Sequence, residues 1–304
     1  MNEHFLYALH AWAAGDIALA AQHTHQAAEQ EPQHLVYAEA QLYLARVLAQ
    51  GRQSVYVSPE GFSAFIRAGG NVGLYRETSA ALRQVYTELG SAVALLDIGV
   101  GDGLALLPAL TDNIRHIDLL EPSATLLAQT AAAVSQRGAI AQTHNITLET
   151  FVGQPDQQAR HWDLAQATFS LQSTPPNERP ALLRWLHQHV DRLLMVEFDV
   201  PNYVGGADPD DFLARRRVEY VVEHYLRGLA EYNHGTEEDR VVAQGFLMPV
   251  LFGYFDRSAN RTNWEHPIQE WASLLQRAGF TAVAIRPVFD YWWAPARLLD
   301  AQSL

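Results

Sequence analysis

Two residue types are missing from this chain altogether: cysteine and lysine. Without cysteine there is no disulfide, no thiolate nucleophile and no sulfur ligand for a metal. Without lysine there is no Schiff-base amine and no P-loop lysine to reach a nucleotide's phosphates. All 21 basic residues are arginine, against 34 acidic ones, and the formal charge is -13. A nucleic-acid binder presents a basic face. The only tight basic cluster here is Arg215-Arg216-Arg217, one turn of a helix that reads as a solvated face or an anion site. No nucleic-acid partner is expected. No apolar run approaches the ~20 residues that cross a bilayer, so no membrane partner is expected either. Residues 1–10 carry no basic segment followed by an apolar core, and the cytoplasm is the expected compartment. Core material is what the chain has in quantity. With 48% hydrophobic and 18% charged residues over 304 positions, it can build one large domain, alone or with a small appendage.

Residues 3–50 read as helical. Phe5, Leu9, Trp12 and Ala13 share one face, Gly15-Asp16 breaks the pattern, a second helix runs over 17–30, and after Pro32 a third runs over 33–49. The order Trp12, Gly15-Asp16, Ala20, Ala27-Ala28, Pro32 resembles one tetratricopeptide repeat and half of another; a plain helical hairpin is the alternative. Residues 1–60 are thus expected to form an N-terminal helical segment serving as lid, dimerisation or docking element, and a homodimer is expected. The glycine-rich stretch 51–73 reads as a connection into a helix over 75–89.

From residue 92 apolar runs and helical patterns alternate. Strands are expected at 92–98, 114–120, 146–152, 164–171 and 192–198, with helices at 104–111, 124–136 and 178–189. Such alternation argues an α/β fold with a doubly wound, mostly parallel seven-stranded sheet. An insertion at about 202–263 interrupts it. Asp208-Pro209-Asp210 is expected to start its helix, over 211–231, and an apolar stretch follows at 241–255. A helix at 267–278 and strands at 281–288 and 290–299 restore the sheet as an antiparallel hairpin. Residues 61–304 form the expected main domain, with the insertion as a helical cap.

The centre of this pattern is 93–103, Val-Ala-Leu-Leu-Asp-Ile-Gly-Val-Gly-Asp-Gly. A buried strand runs straight into alternating glycines, where backbone amides can approach a ligand with no Cβ in the way. A dinucleotide fingerprint, G-x-G-x-x-G, would need glycine at 104, and Leu104 stands there. Glu121, closing the second strand, is a carboxylate able to take charge-assisted bonds from two cis hydroxyls. Asp97-x-Gly99-x-Gly101-x-Gly103 resembles motif I of the class I S-adenosylmethionine-dependent methyltransferases. The segment from Trp271 to Phe280 resembles the helix and turn before their sixth strand, and the likeness is to the small-molecule, biosynthetic branch.

That resemblance implies a Rossmann-like methyltransferase fold and methyl transfer from S-adenosylmethionine to carbon, nitrogen or oxygen of a small-molecule acceptor, free or carrier-bound, in secondary metabolism. An S-adenosylmethionine-binding protein that does not methylate is the alternative. The implied cofactor contacts are Tyr75, Asp97, Gly99, Gly101, Gly103, Glu121, Pro122, Gln154, Ser170 and Gln172. Methyl transfer needs alignment, desolvation and, for some acceptors, a base. Glu197, Asp199 and Tyr203 after the fifth strand, and His224 in the cap, are the candidate catalytic groups. His224, His234 and Asp239 are also weighed as ligands of Fe or Mn, beside a metal-free reading.

Overall fold

A computed structural model describes residues 1–51, 59–205, 212–256 and 263–303. The chain divides into two compact units. A helical unit comprises Met1–Val72, Pro201–Thr262 and Tyr291–Trp293, and a sheet unit comprises Gly73–Val200, Asn263–Asp290 and Ala294–Leu304.

In the helical unit α1 (Glu3–Ala13), α2 (Ile17–Gln30) and α3 (Leu35–Gln50) follow one another as the breaks at Gly15-Asp16 and Pro32 require. Asp16 caps α2 by accepting the N–H of Leu19 at 2.9 Å, which satisfies one of the helix's orphan donors. The buried face of α1, including Phe5, Leu9 and Trp12, meets the insertion directly: Trp12 Nε1 donates to the Phe252 carbonyl at 2.8 Å. The insertion is built from α10 (Arg215–Ala230), α11 (Glu237–Val242), a π-helical turn over Ala243–Leu247 and α12 (Met248–Gly253). Arg217 is fully buried. Its guanidinium donates to the carbonyls of Val204 (2.8 Å), Phe212 (2.6 Å) and Tyr254 (2.8 Å), so it is neither a solvated face nor an anion site. Arg215 is exposed and pairs with Glu3 and Glu219, as a solvated face does.

The sheet unit holds seven strands in the order β3-β2-β1-β4-β5-β7-β6. They are β1 (Val93–Ile98), β2 (Ile114–Leu120), β3 (Ile140–His144), β4 (Trp162–Thr168), β5 (Val190–Phe198), β6 (Thr281–Asp290) and β7 (Pro295–Gln302). The first five pair in parallel. The helices α6 (Leu106–Ala109), α7 (Ala124–Gln136) and α9 (Arg179–His189) lie in the crossovers that parallel pairing demands. Only four residues join β6 to β7, so that pair is an antiparallel hairpin, and β7 also runs antiparallel to β5. Alternate residues of each strand face opposite ways, and two cores result. Leu95, Leu119, Leu164 and Leu194 lie with Leu82 and Tyr86 of α5 (Gly70–Glu88) on one face. Leu96, Ala165, Leu193 and Met195 lie with Trp271 and Leu275 of α13 (Ile268–Ala278) on the other.

Several boundaries differ from expectation. The third strand is Ile140–His144, and the apolar run expected as that strand is instead α8 (Leu148–Val152), started by Thr147. The true β3 is mostly exposed at the sheet edge, so it lacks the apolar alternation that betrays a strand. The helix after the glycines is only four residues, Leu106–Ala109. The connection over 51–73 contains α4 (Pro59–Ile66), and α5 starts at Gly70 rather than at 75. Its glycines serve close packing: a Cβ at Gly70 would stand 3.1 Å from the Glu231 carboxylate, and one at Gly73 2.8 Å from the Phe289 ring. The expected helix start at Asp208-Pro209-Asp210 lies outside the described residues; the helix itself begins at Arg215.

Candidate functional site

β1 ends in the sheet centre, beside the point where strand order reverses, the place where open α/β sheets bind ligands. Gly99, Gly101 and Gly103 have φ of +70°, +56° and +78°, the left-handed region that glycine enters without strain. The protein itself demands glycine at 99, where a Cβ would fall 2.5 Å from the Ser170 Cβ. At Gly101 a Cβ would meet nothing within 4 Å, so that position opens on free space. The turn is tied on both sides. Gly101 N–H donates to Glu121 Oε2 at 3.0 Å, and its carbonyl accepts from Thr130 Oγ1 of α7 at 2.8 Å.

Glu121 follows β2 and is buried. Its Oε1 accepts the N–H of Ser123 at 2.8 Å, so each oxygen holds one backbone donor and keeps further lone-pair capacity. Pro122 beside it is exposed. Asp97 is buried in β1; its Oδ2 accepts from Gln166 Nε2 of β4 at 2.7 Å, and Oδ1 has no donor among the described residues. Burial pushes the Asp97 carboxyl up to about 7, against the Gln166 bond and with Glu121 adding to the rise.

At the end of β4, Ser170 Oγ donates to the Ile98 carbonyl at 2.7 Å, so its hydroxyl fastens the turn. Phe169 is held at φ +53°, an uncommon state for an aromatic residue that marks a site of stored strain. It stacks on Phe198 at 4.7 Å and meets Tyr75 edge-on at 6.2 Å. Gln172 Nε2 donates to the Phe169 carbonyl at 3.2 Å, while its Oε1 is buried without a donor among the described residues. Gln172 N–H donates to Glu197 at 3.2 Å. Burial pushes the Glu197 carboxyl up to about 8, against the nearby Arg179 guanidinium. Arg179, itself buried, donates to the Thr174 carbonyl at 2.9 Å and lies 4.1 Å from the Trp271 ring.

No family model and no curated protein matches the chain. Solved structures do. The CurJ carbon methyltransferase is similar with a TM-score of 0.54 at 14% identity, over 93% of this chain and 71% of that one. The CMeT domain of the citrinin polyketide synthase is similar with a TM-score of 0.53 at 16% identity, over 92% and 68%. The chain has the class I S-adenosylmethionine-dependent methyltransferase fold. Magnesium protoporphyrin IX methyltransferase from Synechocystis PCC 6803, solved with bound SAM, is similar with a TM-score of 0.46 at 12% identity, over 76% and 80%.

Within this methyltransferase fold the sequence candidates separate. Tyr75, Asp97, Gly99, Gly101, Gly103, Glu121, Pro122, Ser170 and Gln172 stand at the carboxyl ends of β1, β2 and β4 or on α5. Gln154 does not follow the third strand, as the expected strand at 146–152 implies; it follows α8 instead. Asn145 directly follows β3, with its amide on the carbonyls of Glu121 (3.0 Å) and Pro122 (2.8 Å). Asp199 Oδ1 accepts the N–H of Ile268 at 2.9 Å, which starts α13. Phe169, Gln166 and Asn145 are not among the residues that the sequence motifs mark. A glutamine inside the apolar run 162–168 was the one legible signal among them.

Tyr203 and His224 belong to the helical unit. Arg216 lies 5.1 Å from the Tyr203 ring, and that ring meets Tyr220 edge-on. His224 stacks on Tyr220 at 3.8 Å, and its Nδ1 donates to the Tyr220 carbonyl at 2.7 Å. That bond fixes the tautomer and leaves Nε2 a lone pair. Burial lowers the His224 pKa below the ordinary 6.5. The set of His224, His234 and Asp239 is not assembled as a metal centre: among the described residues no three such side chains are placed to hold an ion. Asp239 is instead the acid of a capping box, taking the N–H and hydroxyl of Thr236 at the start of α11.

Proposed function

We propose that this protein transfers a methyl group from S-adenosylmethionine to a small-molecule acceptor. The observation that carries the reading is the left-handed glycine turn at the end of β1, open above Gly101 and fixed by the carboxylate of Glu121. The residues present fit the cofactor: a turn without side chains, a carboxylate with spare acceptor capacity and a buried Asp97 oxygen awaiting a donor. When bound, the cofactor supplies an activated methyl group for in-line displacement. Glu121 accepts from the ribose hydroxyls, which are charge-assisted bonds. Asp97 would hold the ammonium end, Pro122 and Asn145 the adenine, and Tyr75, Phe169 and Gln172 the side from which the methyl leaves. Exclusion of water by the aromatic rings favours the charge-dispersing transition state.

On the acceptor side the reading rests on the helical unit alone. Tyr220 stacks on His224 and Trp293 meets it edge-on, and Tyr203, Tyr225 and Tyr254 extend the cluster through those two rings, which suits a planar or apolar acceptor. Within that unit, His224 keeps Nε2 as a proton acceptor. Because burial lowers its pKa below the ordinary 6.5, that acceptor stays unprotonated into mildly acidic solution. In the sheet unit, Asp199 is committed to α13 and burial favours the protonated form of Glu197.

The direct test is calorimetry with S-adenosylhomocysteine, followed by transfer of labelled methyl from S-adenosylmethionine to a panel of phenolic, β-keto and carrier-bound thioester acceptors. Failure of the product to bind would sink the reading. Gly101→Ala separates folding from ligand binding. A left-handed alanine costs about 1–2 kcal/mol, with no clash. The variant therefore melts within a few degrees of wild type yet binds S-adenosylhomocysteine about tenfold or more weakly, because the methyl occupies the ligand's approach.

A further inference from the structure

Asp97 owes its orientation to residues on two other elements. Parallel pairing sets it beside Gln166, whose Nε2 donates to Asp97 Oδ2 at 2.7 Å. Gln166 is fully buried, so the group holding one end of its amide decides which atom the other end presents. Tyr86 of α5 holds the oxygen end: its hydroxyl, also buried, donates to Gln166 Oε1. With that oxygen engaged, the amide must show its N–H to the carboxylate. Asp97 Oδ1 is then left buried and without a donor among the described residues. Such an unmatched acceptor calls for a donor from outside the chain, a water, an ion or a ligand, and here it stands at the end of β1 beside the glycine turn.

We propose that Tyr86 and Gln166 are positioning residues of the cofactor site, locking Asp97 so that one oxygen belongs to the sheet and the other receives the ligand's ammonium. The inference rests on the cofactor reading above. The titratable groups facing Asp97 are Tyr86 from α5 and Glu121 from the end of β2, while β4 contributes the neutral Gln166. An ammonium docks on a carboxylate and not on a carboxylic acid. With the free Asp97 carboxyl titrating at about 7, binding below that pH expels one proton from Asp97 to solvent. Above it, binding expels none. The Gln166 N–H favours the charged form, so losing it moves the titration upward. Loss of the Tyr86 hydroxyl frees the amide to turn its oxygen toward Asp97, which acts in the same direction.

The test is calorimetry of S-adenosylhomocysteine on the full chain between about pH 5.5 and 7.5, in buffers of differing ionisation heat. In wild type the affinity falls nearly tenfold per pH unit on the acid side, with one proton released per ligand. Gln166→Leu moves the midpoint up by about half a unit to one unit and weakens binding at pH 7 about threefold to tenfold. Tyr86→Phe shifts it less, in the same direction. Leu82→Ala, a core truncation on α5, lowers the melting temperature and leaves the midpoint in place, as purely structural damage does. If Gln166→Leu fails to fold, the wild-type proton count and Tyr86→Phe still decide. Binding without proton release, or an unmoved midpoint in Tyr86→Phe, overturns the inference and leaves the cofactor reading standing. No binding at any pH removes the cofactor reading, and the inference with it.

Discussion

Replacing Glu121 by alanine weakens S-adenosylhomocysteine binding at least a hundredfold and lowers the melting temperature as well. Two losses combine. The carboxylate holds the Gly101 and Ser123 N–H groups at 3.0 and 2.8 Å, and deleting it leaves both half-buried donors without that partner, toward the low end of about 1–3 kcal/mol. The turn that Gly101 anchors then loses its fixed shape. The proposed ribose contacts go too. A hydrogen bond to a charged group contributes about 1.5–3 kcal/mol, so two of them account for roughly a hundredfold to ten-thousandfold in affinity. Glu121→Gln keeps one acceptor oxygen but turns an amide NH2 toward the second backbone donor, and falls between. Calorimetry of both variants beside wild type checks this; Glu121→Ala binding within threefold of wild type would contradict it.

Asp118→Asn should be strongly destabilising while touching no part of the candidate site. Asp118 is buried in β2. It accepts from Arg160 at 2.9 and 2.6 Å, Trp162 Nε1 at 2.8 Å and His144 Nε2 at 2.6 Å, tying β2 to β3 and β4. Removing one partner of a buried charge pair costs about 3–5 kcal/mol. The Arg160 side chain is 31% exposed and keeps some hydration, so the low end, about 3 kcal/mol, is expected. For a chain of this size that is roughly 6–12 °C in melting temperature. Burial alone would raise the Asp118 carboxyl. The bonds from His144 and Trp162 and the Arg160 charge outweigh burial and hold it below the usual carboxylate value. Its folded pKa thus lies below the unfolded one. The stabilisation is complete above the unfolded value near 3.9 and fades as pH falls through the folded value. The gap between wild type and Asp118→Asn should be constant from about pH 5 upward and close below about pH 4. A gap that persists into stronger acid would show that packing, not charge, is responsible.

How much was legible depended on whether a residue's role is local. β2 and α2 were bounded to the residue, because an apolar run between turn signals and a Gly15-Asp16 break are local facts. The motif at 97–103 was legible for the same reason: alternate glycines after a strand have few other uses. The third strand was misplaced because Ile140–His144 sits at the sheet edge with Ile140 63% exposed, while the apolar 148–152 segment buries one turn of helix. The glycines at 69–73 looked like a loop and are helical in part, because the need for them comes from Glu231 and Phe289, remote in sequence. The carboxylates were the hardest to read. Asp199 looked catalytic by position and starts a helix; Asp239 looked like a ligand and closes a capping box. Only the sheet register brings Gln166 to Asp97, and no spacing along the chain encodes that.

The three motif glycines also differ in who requires them. At Gly99 and Gly103 an added methyl collides with Ser170, or with Leu107 and Thr130, so the fold rejects it. At Gly101 nothing stands in the way. A library randomised at these positions and sorted for soluble expression alone should keep 99 and 103 as glycine while admitting asparagine and alanine at 101. The same library sorted for methyl transfer should return glycine at all three. The difference between the two lists would isolate, at a single backbone position, selection by the ligand from selection by folding.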